Sequence, residues 1–458
     1  MTGPSLIESL AQYIASALER PLPAEVAEKT KHHVLDTIAA MVTGSKLKPG
    51  ELATRFAASQ GGTPEAMVIG SQVVTTAVTA AMANAMLAHS DETDDSHAPS
   101  LTHPGCAIVP AALAVAERED ASGEALLRAV ALGYDVGCRI GRAMGGIGSR
   151  GVSGHATHSI GPMFGAAAAA SALAGLDARG VRHALAYTAQ QASGITSWAR
   201  DSEHVEKAFV FGGMGARNGV TSALFVQAGL TGEEDVFSGD FNFLEVFCPE
   251  RDELAGWVAS LGSHFEVLET NIKKFPVGSP IQAAAEALTL IVAEHGIAAD
   301  EVARVDVLLP PNGARIVDDR SMPDINLQYC MAVILLDGGK LSFDATHTYD
   351  RMGDPAVLDM RLRVTLSGSP EFAGMERQRP ATVQVTLSDG RVLEQHVPAV
   401  RGTADNPMTH EDVEAKATEL IASVLGTERA RAVVEEVWGL DERTRASALR
   451  PLLQDGPG

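Results

Sequence analysis

Residues 75–117 read TTAVTAAMANAMLA HSDETDDSHAPSLTHPG CAIVPAALAVAE. The two flanks, 75–88 and 106–117, are alanine-rich runs with larger apolar residues among them, and they read as buried helices that meet through small side chains. The segment between them carries Asp91, Glu92, Asp94 and Asp95 beside His89, His97 and His103. Seven ionisable groups set between apolar helices are costly, because burying a charge costs several kcal/mol unless it is paired or used. The stretch therefore predicts helix packed against helix, with a polar loop between them where chemistry is expected.

The same texture extends on both sides. PAEVAEKTKHHVLDTIAAMVTG (23–44), SGEALLRAVALGYDVGCRIGRAMG (122–145), GPMFGAAAAASALAGLD (161–177) and ARGVRHALAYTAQQAS (178–193) repeat apolar residues at three- and four-residue spacing. Near residue 264 the pattern changes. HFEVLETNIKKFP, VARVDVLLPP, MRLRVTLSG and ATVQVTLSDGRVLEQHVP alternate and are β-branched, and Ser388-Asp389-Gly390 marks a hairpin. Two helical runs, IQAAAEALTLIVAEHG and INLQYCMAVILLDG, lie among these strands. After GTADNPM the helices return with THEDVEAKATELIASVLG, where Thr409 reads as a cap. The expectation is a mainly α protein: a large all-α helical domain over residues 1–267 with 401–458, and a smaller α+β lid domain over 268–400.

Composition narrows the function classes. The chain has 458 residues, 45% hydrophobic and 21% charged, with only 5% aromatic. That length exceeds what one core usually supports, so two domains are expected. A net charge of -22 excludes a nucleic-acid partner, since no basic stripe offsets that field. A few local cations can still build a positive pocket for a small anion. Cys106, Cys138, Cys248 and Cys330 show no CxxC spacing, and with no export signal or membrane-length apolar run the reading is a cytoplasmic protein with reduced thiols.

Four segments concentrate polar residues against this background. The first is the 89–103 loop. The second is GVSGHATHSIGPMFG, with His155 and His158 ahead of an apolar helix whose N-terminus suits an anion. The third, SEHVEKAFVFGGMGARNG, sets Lys207 before a glycine-rich run; the fourth, NIKKFPVGSPIQA, sets Lys273 and Lys274 before a tight turn. Taken singly, each has a structural reading. Loop histidines are as often hydrogen-bonded scaffolding, lysine pairs are usually surface charge, and Asp94-Asp95 can cap a turn. No H-E-x-x-H or comparable ligand pattern appears, so no metal is expected. Gly212-Gly213-x-Gly215 imitates a dinucleotide loop but has no strand before it. Together the four segments suit a small polyanion held by lysines, with histidines moving protons next to a carboxylate.

These residues resemble the MmgE/PrpD family over nearly the whole chain. The resemblance rests on HSDETDDS followed by THPG, on GYDVGCRIG, HATHSIGPMFGAAAAA, EKAFVFGGMGARNG, KKFPVGSPIQA, INLQYCMAVILLDGG and NPMTHEDVEAK, in that order. It implies a cofactor-free enzyme, usually a homodimer, with its site in the cleft between a helical domain and a lid. It also implies His103, His155 and Lys207 as the catalytic group. It places Glu92, Ser96 and Lys273 in the substrate-binding set, to which the residues themselves add Asp94, His158, Lys274 and Ser279; Asp94, Asp95 and Glu92 are expected to orient His103 and the lysines. Many dehydratase and decarboxylase members carry a histidine just after the K-x-F-P step, where this chain has Val277-Gly278-Ser279, a departure that favours epimerisation among the alternatives.

The function expected is a lyase, foremost a dehydratase, for a small di- or tricarboxylate. Epimerisation and decarboxylation are the alternative chemistries, and a non-catalytic carboxylate-binding homologue is the alternative class. Specificity is expected in residues 275–282 and 312–329.

Overall fold

The computed structural model describes residues 4–145, 154–248, 254–375 and 378–454. Residues 151–153, which open the second polar segment, lie outside the described residues. The chain divides into two compact units. One comprises Met1–Ser90, Asp94–Thr270 and His410–Gly458, the other Asp91–Thr93 and Asn271–Thr409. Helix dominates the described residues, and strands are few and short, so the fold is mainly α.

The first unit is built from α1 (Leu6–Ala15), α2 (Ala24–Gly44), α3 (Lys48–Gln60), α4 (Ala77–Ala88), α5 (Pro104–Arg118), α6 (Gly123–Ala143), α7 (Thr157–Leu173), α8 (Ala178–Gln190) and α9 (Met214–Gln227). A two-residue ladder, β1 (Ala66–Met67) with β2 (Val74–Thr75), is its one described sheet. Local chemistry starts the chain well. Ser5 and Glu8 form a reciprocal capping box on α1, with Ser5 N donating to the Glu8 carboxylate at 2.8 Å.

Helix α7 shows why the alanine run matters. Ala166 to Ala170 are all fully buried, as expected of a helix apolar on every face and set at the centre of its unit. Its neighbour α6 comes so close that a Cβ on Gly161 would lie 2.8 Å from the Gly137 carbonyl, and one on Gly137 would lie 3.0 Å from Gly161 O. Any side chain at either position would push the two helices apart.

The C-terminal segment of this unit carries α12 (His410–Leu425), which packs along α2, and α13 (Thr427–Trp438). Lys416 on α12 reaches buried Asp36 on α2 at 2.5 Å, and Lys31 reaches Asp441 at 2.8 Å.

The second unit holds α10 (Gln282–His295), α11 (Leu327–Leu336) and a four-stranded sheet. The strands are β3 (Val302–Leu309), β4 (Val364–Gly368), β5 (Ala381–Leu387) and β6 (Val392–Val397), in the order β4-β3-β5-β6. β3 runs parallel to β4, with Val305 opposite Val364, and antiparallel to β5, with Val305 opposite Val385. β5 alternates buried and half-buried residues along its length, the pattern of a strand with one face on a core. Its hairpin to β6 turns at Gly390, whose φ of 88° lies in the left-handed region.

One expected strand is absent. HFEVLETNIKKFP forms a 3-10 turn at Glu266–Glu269 and no described strand. Its alternation has another cause. Phe265 and Val267 are buried, and so is the Glu266 carboxylate between them, which meets Arg142 at 2.8 Å and His97 at 3.1 Å. Among the described residues no helix is long and apolar enough to cross a membrane.

Candidate active site

The acidic loop is strung between two packed helices. His89 closes α4, and Pro104 opens α5 in the position where a missing N–H costs nothing. Asp95 anchors the loop from below. Its carboxylate accepts from Tyr134 Oη at 2.5 Å, from Gly105 N at 2.9 Å, and pairs with His33 Nδ1 at 2.8 Å. Farther along, His97 N donates to Thr102 O at 2.8 Å, and the His97 ring meets Ser100 Oγ at 2.7 Å. The loop is thus a fixed structure with its polar groups largely spent on one another.

Asp94, fully buried, ties together the histidines at the two ends of the loop. Its carboxylate faces two imidazoles, His89 Nδ1 at 2.8 Å and His103 Nδ1 at 3.2 Å. The two rings have different surroundings. His89 is fully buried; that burial, outweighing the pull of Asp94, pushes its pKa down to about 3 and keeps it neutral. The His103 side chain is 14% exposed. With Nδ1 turned to Asp94, His103 presents Nε2 as the nitrogen that can exchange a proton with another molecule.

Aromatic rings wall this pair. Phe211 stacks on His89 with centroids 4.4 Å apart and on His158 at 4.5 Å, and meets His103 edge-on at 5.3 Å. Trp198 meets Phe211 edge-on at 4.6 Å. The Lys207 ammonium lies 5.2 Å from the Phe211 centroid and 5.8 Å from that of Trp198, placing positive charge over the same rings. A π-helical turn, Phe209–Gly213, brings Phe211 into this position. The glycines of that turn serve packing, since a Cβ on Gly212 would lie 2.2 Å from Ala85 O on α4.

His89, Asp94 and Cys106 place donor atoms within 4.8 Å of one another. Asp94 is already shared by two imidazoles, however, and the Cys106 thiol donates to His103 O at 3.1 Å. A thiol that holds its proton on a backbone carbonyl does not serve as a ligand, and His89 Nε2 is left buried without a hydrogen-bond partner among the described residues.

In the second unit, Asp91 and Glu92 each hold a cation. The Lys273 side chain is 1% exposed, and its ammonium donates to Glu92 O at 2.8 Å and lies 3.3 Å from the Glu92 carboxylate. His347 Nε2 lies 3.0 Å from Asp91, while its Nδ1 faces Phe343 O at 2.8 Å. A carbonyl on one nitrogen and a carboxylate on the other both call for an N–H, so the geometry favours the imidazolium. Burial opposes that charge on His347, but the hydrogen bond and attraction of Asp91 override it, and the pKa is raised. Burial likewise works against the Asp91 carboxylate, and the same pairing with His347 holds its pKa below normal.

The stability His347 contributes is full below the ordinary value of 6.5 and is lost as pH rises through the raised one. That of Asp91 is full above 3.8 and is lost as pH falls through the lowered one. His347→Gln should therefore destabilise the protein more near pH ~5.5 than near pH ~9, as urea midpoints at the two values will read. Equal losses at both would show that the pair does not titrate as described.

With this geometry in view, the comparisons are direct. The MmgE/PrpD N-terminal domain matches residues 8–253, and the MmgE/PrpD C-terminal domain matches residues 275–440. The chain belongs to the MmgE/PrpD family. Among its relatives is a cis-aconitate decarboxylase of Aspergillus terreus, 27% identical, covering 94% of this chain and 92% of the relative. The cis-aconitate decarboxylase-like protein oryM of Aspergillus oryzae is 26% identical, covering 97% and 96%. The cis-aconitate decarboxylase of Homo sapiens is 25% identical, covering 99% and 95%.

Against the residues expected from the MmgE/PrpD pattern, the structure draws distinctions. His103, Asp94, His158 and Lys207 are brought to one set of rings, with His103 and His158 centroids 6.3 Å apart. His155 precedes α7, and its described ring contact is with Phe247 at 5.3 Å. Ser96 is buried within the loop. Lys274 is a half-exposed cation 3.3 Å from Glu286. Ser279 is half-buried in a turn that Gln282 braces through Phe275 N and O and Val277 O. At Gly278 the backbone does not demand glycine, and a Cβ there would press only on Ile325, at 3.3 Å.

Sequence reasoning missed His33, Tyr134, Trp198, Phe211 and His347. Only His33 gave a signal, a histidine amid the apolar spacing of α2, and that signal is more often structural.

Proposed function

We propose that the chain is a lyase for a small polycarboxylate and works without a cofactor, and that its reaction is decarboxylation of an unsaturated tricarboxylate. The observation that carries this reading is the Asp94–His103 pair, one partly exposed imidazole oriented by a buried carboxylate. Decarboxylation asks for one proton delivered to carbon. The bond to a carboxylate breaks, its electron pair shifts through the neighbouring double bond, and carbon dioxide leaves. His103, carrying a proton on Nε2 as well as on the Nδ1 that faces Asp94, gives the Nε2 proton to the carbon and recovers it from water. Lys207 stabilises the negative charge that develops before protonation. The relatives named cis-aconitate decarboxylase support this reading. Glu92, Ser96, Lys273 and Ser279 are retained as substrate contacts, His155 as a secondary candidate, and Lys274 as a structural partner of Glu286.

Dehydration of a hydroxy-polycarboxylate is the second reading. It needs a base at carbon and an acid at the departing hydroxyl, and His158 beside His103 supplies a second imidazole.

The test is turnover of cis-aconitate, citrate-like, malate-like and amino-diacid compounds in heavy water, followed by NMR. Carbon dioxide release with one deuterium in the product is the expected result. Loss of water from a hydroxy acid would establish the second reading in its place. Deuterium wash-in with no bond lost would mean an epimerase, and saturable binding without turnover a non-catalytic homologue; either would overturn the lyase.

A further inference from the structure

The structure assigns a second site, far removed in chemistry from the first, to the seam between α2 and α12: Glu28, His32 and His410 bind a divalent transition-metal ion of the zinc or nickel class. Glu28 and His32 stand four residues apart on α2, so both side chains share one face. His410 opens α12, which packs along that helix. Glu28 Oε1 lies 3.3 Å from His32 Nε2 and 2.8 Å from His410 Nδ1, and the three donor atoms all fall within 4.8 Å of one another. Zinc bonds nitrogen and carboxylate oxygen at about 2.0–2.2 Å, which sets tetrahedral ligands roughly 3.3–3.5 Å apart. The ion therefore seats with small side-chain adjustments.

The surroundings point the same way. With Nδ1 of His410 on the ion, its Nε2–H faces Glu414 Oε2 at 3.7 Å, and Trp438 Nε1 donates to that same oxygen at 3.0 Å. A carboxylate behind a ligating imidazole fixes the ring and raises its basicity. The Trp438 ring stacks on His410 at 3.8 Å and meets His32 edge-on at 5.4 Å, holding both imidazole planes. Two carboxylates balance a divalent charge, and two nitrogens with one oxygen select borderline ions over magnesium or calcium. Glu28 and His410 side chains are 47% and 41% exposed, leaving room for water to complete the shell. This site is independent of the proposed lyase reaction. Its consequence is structural, a clasp between the N-terminal and C-terminal parts of the first unit.

The experiment uses the full chain without a polyhistidine tag, freed of metal by chelator, and titrates zinc chloride by calorimetry while following thermal unfolding. One equivalent of tight binding and a raised Tm are expected for the wild type. His410→Gln, a partly exposed position that should not disturb folding, should lose that equivalent and its Tm shift, as should His32→Gln. Glu414→Gln should weaken affinity by about 10-fold or more. No saturable zinc binding by the wild type, or binding unchanged in His410→Gln, overturns the assignment.

Discussion

Replacing His103 by glutamine is expected to lower kcat on the confirmed substrate by roughly 10³-fold, with KM changed only a few-fold, because a positioned acid–base group is worth about 10²–10⁴ in rate. Glutamine can still donate to Asp94, so the loop is kept and only proton transfer is lost. Asp94→Asn should cost a comparable factor for a different reason. An asparagine amide keeps one acceptor but turns an NH2 group toward one of the two imidazole nitrogens that the carboxylate now faces, at 2.8 Å from His89 and 3.2 Å from His103, and it carries no charge to hold an imidazolium, so His103 loses its orientation and its proton-donating form. Lys207→Ala should join these as a kcat defect if its charge acts on the developing carbanion, whereas a pure KM defect would make it a binding residue. Steady-state kinetics of the three variants, with circular dichroism to verify folding, check the set. A His155→Gln variant as slow as His103→Gln would move the proton donor to the segment before α7 and remove the Asp94 pair from the mechanism.

The sequence made much of this architecture legible because alanine-rich helices leave few alternatives. A run such as Ala166–Ala170 has no polar face to show solvent, and its burial on every side follows. The alternation in VARVDVLL and ATVQVTL and the Ser388-Asp389-Gly390 turn likewise translate into β3, β5 and their hairpin. HFEVLETNIKKFP failed because alternation records burial, not pairing. A glutamate buried against the Arg142 guanidinium and the His97 imidazole leaves the same trace as a strand.

The candidate site was legible only in part. Residue types marked His103, His158 and Lys207, but Phe211, the ring that gathers them, comes from a π-helical turn, Phe209–Gly213, which one inserted residue of backbone geometry creates and no spacing rule announces. His347 was invisible for a similar reason. Its partner Asp91 lies more than 250 residues earlier in the chain, and nothing local to FDATHTYD signals a buried ion pair.

Asp95→Ala is expected to be the most destabilising single change in the acidic loop, by about 4 kcal/mol or more. The carboxylate satisfies three donors at once, Tyr134 Oη, Gly105 N and the His33 ring, all within a fully buried setting. Each buried donor left unpaired costs about 1–3 kcal/mol, and alanine can relieve none of them. Asp95→Asn should fall between alanine and wild type, since its Oδ1 can still accept while its amide opposes only part of the donor set. Acid weakens wild type and variant alike until about pH 4, and separates them only near and below that value. Burial, working against the attraction of Asp95, depresses the His33 pKa to about 4. Between that value and the ordinary 6.5 the unfolded chain binds a proton that the folded chain refuses, so stability falls as pH drops through this window. The slope from this one group reaches about 1.4 kcal/mol per pH unit. Removing Asp95 takes away the one interaction that draws a proton onto His33, so the folded imidazole resists protonation to still lower pH and the variant's acid sensitivity extends further. Urea unfolding near pH ~7 measures the first effect, and the same comparison near pH ~4 the second. An Asp95→Ala protein within about 1 kcal/mol of wild type at both values would mean that the loop is held from elsewhere, and that Asp94 and His103 owe their placement to the helices alone.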